Sequence, residues 1–120
     1  MTKAVLRVRR DTGAVLEEMG QRFASAWKSG RPTSARVFSF ESPAALFRVL
    51  SPKRWELIER LQLTGPTSVR GLARALERDV KRVHEDVAAL IEVGLIEKTE
   101  HGQIHVPFEV IEADFELRAA

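Results

Sequence analysis

Between Ser68 and Arg82 five Lys/Arg stand against two Asp/Glu, and here the chain gathers residue types suited to one kind of chemistry. Arg70, Arg74, Arg78, Lys81 and Arg82 are cations able to grip phosphate oxygens, and Ser68 adds a hydroxyl. Arg and Lys also donate to guanine O6 and N7 in the major groove of duplex DNA. His84 stands beside them, and Glu85 can accept from a cytosine amino group or, the simpler expectation, pair with Lys81. Farther on, Lys98 and His101 offer a cation and a titratable ring near a turn.

Other chemistries are poorly served. The three histidines, His84, His101 and His105, have no cysteine and no tight carboxylate cluster beside them, whereas a closed metal site wants four ligands. Glu85 and Asp86 are adjacent, so on a helix they point in different directions and make a poor acid–base pair. Asp86 is expected to pair with a neighbouring arginine. The chain has no Gly-rich phosphate loop, no nucleophile elbow and no cysteine. No catalytic residue, metal or cofactor is expected, and the chain does not read as an enzyme.

The elements that must position these residues follow from periodicity and caps. Ser51-Pro52 opens a helix with Trp55, Ile58 and Leu61 inward, ending at Gly65-Pro66. Thr67 or Ser68 caps a short helix whose Val69, Leu72, Ala73 and Leu76 face the core. Asp79 caps a longer one, residues 80–93, with Val80, Val83, Val87, Leu90 and Ile91 as its buried stripe. That stripe turns Lys81, Glu85 and Ala88 outward on one ridge, flanked by Arg82 and His84. Gly94 suits the left-handed position that ends a helix. Leu95–Thr99 and Gln103–Val106 then form a hairpin around Glu100-His101-Gly102. Capped helix, turn, capped helix and Gly-tipped hairpin, in that order, predict a winged helix-turn-helix whose second helix enters the major groove.

Ahead of this module, Lys3–Arg10 alternates as a half-buried strand with an edge, Val5–Arg9, in need of a partner. Asp11 or Thr12 can cap a helix with Val15, Met19, Phe23 and Trp27 along one face. A loop from Ser29 to Ser34 leads to a second strand, Arg36–Phe40, a candidate partner for the first, and Ser42-Pro43 opens a short helix with Ala45, Leu46, Val49 and Leu50 inward. Pro107 breaks the hairpin, and Phe108–Leu117 is apolar enough to return as a final strand. The expected class is α+β, with a strand-helix-strand-helix extension at 1–50, the winged module at 51–107 and an acidic segment at 108–120.

Composition fits that division. With 44% hydrophobic and 30% charged residues the 120-residue chain is an ordinary globular one rather than a disordered tail. Residues 1–52 hold nine Lys/Arg against four Asp/Glu, residues 53–99 nine against eight, and residues 100–120 one against five. A basic front and an acidic tail suit a protein that meets phosphate at one end. The absence of cysteine suits a reducing cytosol. No apolar run approaches the ~20 residues needed to cross a bilayer, and the start is too charged for a signal peptide. A cytoplasmic location is expected, with no membrane partner.

The segments Phe40-Glu41-Ser42, Leu46-Phe47-Arg48-Val49-Leu50, Pro52-Lys53-Arg54-Trp55-Glu56-Leu57, Leu72-Ala73, Arg78-Asp79-Val80-Lys81-Arg82-Val83-His84 and Leu90-Ile91-Glu92-Val93-Gly94-Leu95-Ile96 also resemble a known family. It is the MarR-like winged helix-turn-helix DNA-binding proteins of archaea and bacteria, and the likeness covers about residues 37–117. The resemblance implies a dimeric transcriptional regulator. Some members of the group serve as antitoxins in pairs of the TumE/TumA kind. By position, the outer face of Val80–Ala89 would be the DNA-reading surface, although members often carry a basic residue where Glu85 stands.

Two functions are therefore expected to compete. The first is a homodimer that binds double-stranded DNA, with Lys81, Arg82, His84 and Glu85 at the bases. Ser68, Arg70, Arg74 and Arg78 would hold phosphates, and Lys98 and His101 would touch from the wing. The second is an antitoxin whose acidic tail (Glu109, Glu112, Asp114, Glu116) or front section masks a toxin protein.

Overall fold

The computed structural model describes residues 2–8, 34–117 and 119 of the chain. In chain order its elements are β1 (Thr2–Val8), β2 (Ser34–Phe40), α1 (Pro43–Val49), α2 (Pro52–Thr64), α3 (Val69–Leu76), α4 (Val80–Val93), β3 (Glu97–Lys98), β4 (Ile104–His105) and β5 (Val110–Asp114). The class is α+β, in two compact units: Met1–Leu46 with Val110–Ala120, and Phe47–Glu109. The helix expected on Val15, Met19, Phe23 and Trp27, and residues 29–33 of the expected loop, lie outside the described residues. No helix among the described residues is long and apolar enough to cross a membrane.

In the first unit β1 is the middle strand of a sheet ordered β2-β1-β5, with both neighbours parallel to it. Thr2 pairs with Ser34 and Val8 with Phe40 on one side; Lys3 pairs with Val110 and Arg7 with Asp114 on the other. This corrects the half-buried edge strand expected from alternation. Ala4, Val5 and Leu6 are all fully buried, three in succession, so both faces of β1 are covered, as parallel strands require. Of the edge expected to await a partner, Val5, Leu6 and Arg7 are already paired on both sides. Lys3 Nζ reaches Glu112 Oε2 at 3.2 Å, and the Arg36 guanidinium lies 5.3 Å from the Phe38 ring centre.

The second unit is organised by local signals that satisfy helix ends. Ser51 Oγ accepts from Arg54 N–H at 3.4 Å, with Pro52 in the first turn of α2, where its missing N–H costs nothing. Ser68 Oγ accepts from Gly71 N–H at 3.0 Å to start α3. Asp79 Oδ2 accepts from Arg82 N–H at 3.3 Å to start α4. Gly94, at φ 103°, ends α4 by donating to the carbonyls of Leu90 and Ile91, a conformation that costs other residues about 1 kcal/mol or more. Glu77 takes a similar left-handed position, φ 54°, between α3 and α4 with no glycine to ease it.

Apolar residues close this unit. Leu57, Ile58 and Leu61 of α2, Leu72 and Ala73 of α3, and Val83, Val87 and Leu90 of α4 are buried, joined by Leu95, Ile96, Ile104 and Phe108. Each large one contributes about 1.5–3 kcal/mol on leaving water. Trp55, Val69, Leu76 and Ile91, expected in the same core, are half-buried. Two short strands, β3 and β4, pair antiparallel around a tip ending in Gly102. Thr67 joins them through two backbone bonds: its N–H donates to Ile104 O at 3.1 Å and its carbonyl accepts from Ile104 N–H at 2.8 Å. The hairpin is thereby fastened to the residue just ahead of the α3 cap.

Candidate nucleic-acid interface

The packed stripe of α4 sets the direction of everything else on that helix. With Val83, Val87 and Leu90 buried, Lys81, Arg82, His84, Glu85 and Ala88 are exposed, as their positions in the helical period demand. Lys81, Arg82 and His84 have no ion-pair partner among the described residues. Nor does Glu85, so the expected Lys81–Glu85 pair does not form, and both groups remain available to a ligand. Ser68, Arg70 and Arg74 at α3, Lys98 on β3 and His101 at the hairpin tip are exposed as well. Ser68 spends a lone pair on its cap but keeps its own proton to donate.

Two expectations are corrected. Val80, assigned to the buried stripe, is 42% exposed. At 100° per residue it lies about 50° from the centre of the Val83–Val87–Leu90 stripe, on the side shared with His84. Arg78, assigned to phosphate, is committed inside the protein. Its Nη2 donates to Asp86 Oδ2 at 2.8 Å and its side chain is only 16% exposed. The other oxygen of Asp86 accepts from Arg54 Nε at 3.1 Å, while Arg54 Nη1 donates to the Val49 carbonyl at 2.8 Å. An arginine partner for Asp86 was expected; Arg54, 32 residues away, was not, because nothing local marks such a pair.

This cluster joins α2, the turn after α3, and α4 through one carboxylate, and so fixes the helix that presents the free cations. Burial pushes the Asp86 carboxyl up, but hydrogen bonds from Arg78 and Arg54, with their charges, outweigh it and hold it below its ordinary value. Arg78 Nη1 is buried without a hydrogen-bond partner. His105 Nε2 stands 3.9 Å from Glu97 Oε2 across the hairpin, and so lies apart from His101 at the tip. Among the described residues no group of three or more His, Cys, Asp or Glu is placed to hold a metal ion.

The sequence profile of the HVO_A0114 family matches residues 49–113. The chain belongs to the HVO_A0114 family. The HVO_A0114 span begins at the last residue of α1, takes in α2, α3, α4 and the hairpin, and runs into β5. All ten residues expected to face DNA, Ser68 to His101, fall within it. No curated protein and no solved structure matches the chain.

Proposed function

We propose that this HVO_A0114 protein is a sequence-specific, double-stranded-DNA-binding transcriptional regulator that works as a cytoplasmic homodimer. On this reading residues 51–107 form a MarR-like winged helix-turn-helix, with α3 and α4 as the paired helices and the β3–β4 hairpin as the wing. Helix α4 enters the major groove, where Lys81, Arg82, His84 and Glu85 meet base edges. Ser68, Arg70 and Arg74 hold phosphates, helped by the free N–H groups that begin α3. Lys98 and His101 reach the backbone or minor groove from the wing.

The observation that carries the reading is the face of α4: Lys81, Arg82 and His84 exposed with no ion-pair partner among the described residues, beside a stripe of valines packed away. A cation kept without a partner is ready to displace counterions from phosphate, which gives such binding its steep salt dependence. The antitoxin reading is weaker. The acidic tail meant to mask a toxin includes β5, which is spent on pairing with β1, and its Glu112 is held by Lys3.

Selection from a pool of random duplexes tests the proposal. It should return two inverted half-sites about 10 base pairs apart, the spacing a two-fold dimer dictates. Binding to that duplex should weaken with salt on a log–log slope of about −0.9 per phosphate contact. A pool that shows no enrichment, together with no duplex binding at low salt, would remove the function.

A further inference from the structure

Val80 is a branched apolar side chain on a face otherwise made of polar and small residues. It is 42% exposed, at the first position of α4, directly after the Asp79 cap. The helical period sets it in one row with His84 and Ala88, at i, i+4 and i+8, with Lys81 and Glu85 in the next row. All of these are exposed. The other large exposed apolar side chains of this unit, Phe47 and Leu63, belong to α1 and α2, not to the helix that carries Lys81 and Arg82.

We infer that Val80 contacts the C5 methyl group of a thymine in the major groove and is a specificity-determining residue of the DNA interface; the inference rests on the function proposed above. Thymine is the one standard base that presents an apolar group in that groove, so an apolar contact can distinguish it there. The position suits the task, because the first turn of a groove-inserted helix is the part that meets base edges. The side chain suits it too. A β-branched residue in a helix is nearly confined to one rotamer, so Val80 offers its methyls at a fixed point with little entropy left to lose. Left in water those methyls gain nothing; against a thymine methyl they lose hydration on both partners. Lys81 and Arg82, next in sequence, would donate to the neighbouring bases or phosphates and fix the register of the contact.

The test uses the full chain and the duplex it selects. Each thymine is replaced in turn by deoxyuridine, which removes the C5 methyl and leaves base pairing and hydrogen bonding unchanged. Wild-type protein should lose about threefold to tenfold in affinity at one thymine of each half-site and little at the others. Val80→Ala should bind the thymine and uracil duplexes equally, with Val80→Thr intermediate. Because Val80 is exposed, both variants should melt with the wild type. A wild type indifferent to every replacement, or a Val80→Ala variant that keeps the full thymine preference, would overturn the contact while leaving DNA binding intact. Failure to bind any duplex would overturn the parent function and the contact together.

Discussion

Asp86 sits between the guanidinium groups of Arg54 and Arg78, and its carboxyl titrates below its ordinary value. A carboxylate whose folded pKa is depressed adds stability that is fully present above the unfolded pKa, about 3.9, and is lost as pH falls through the folded value. Asp86→Asn removes the charge and leaves two half-buried arginines facing one another. Chemical denaturation at neutral pH should find it less stable by about 2–3 kcal/mol, with the gap to wild type closing as the pH falls below the ordinary carboxylate range and Asp86 takes up its proton. A gap independent of pH would mean that the charge of Asp86 does not hold the cluster. The same residue separates two kinds of arginine. Arg74 is exposed and can meet a ligand, whereas Arg78, four residues on, is spent inside; residue type and spacing alone treat them alike.

Among the elements, α3 depends on a missing side chain. A Cβ on Gly71 would stand 2.6 Å from Thr67 Oγ1 and 3.2 Å from Ser68 Oγ, the oxygen that caps the helix. Thr67 is also the residue whose backbone holds Ile104 and with it the hairpin. Alanine normally improves a helix by about 1 kcal/mol over glycine. Here Gly71→Ala should instead lower stability by about 1 kcal/mol, since the cap and the Thr67 bridge must shift to admit the methyl. A Gly71→Ala protein with a higher melting temperature than wild type would refute the crowding. Such local features divide what the sequence reveals from what it hides. The caps Ser68 and Asp79, the Gly94 stop and the hairpin were all legible, because each is written within four or five residues. The pairing of β1 with β2 was legible as well; its parallel sense and the placing of β5 on the other side were not, since parallel pairing joins segments distant in the chain and leaves no turn to announce it. Val80 was misassigned for a related reason: a period of 3.6 fixes the centre of a stripe well and its margin poorly. Of the ten candidate DNA contacts, Arg78 alone is withdrawn from the surface, by a partner that no spacing rule could name.

For the molecule as a whole, the asymmetry of charge acquires a structural meaning. The acidic C-terminal segment does not stand apart; β5 completes the sheet of the first unit, and the HVO_A0114 match extends into it. The exposed cations of α3, α4 and β3 belong to the second unit. On the function proposed above, recognition falls to residues 47–109 and the sheet built by β2, β1 and β5 would be left for pairing two copies. The measurement that bears most directly on this division is the affinity of Lys81→Ala/Arg82→Ala for the selected duplex, set against random duplex at one salt concentration. With its melting temperature unchanged, the double variant should lose about 10-fold to 100-fold on the selected duplex and approach its affinity for random sequence. A folded double variant that binds the selected duplex as tightly as wild type would contradict the assignment of α4 to the bases.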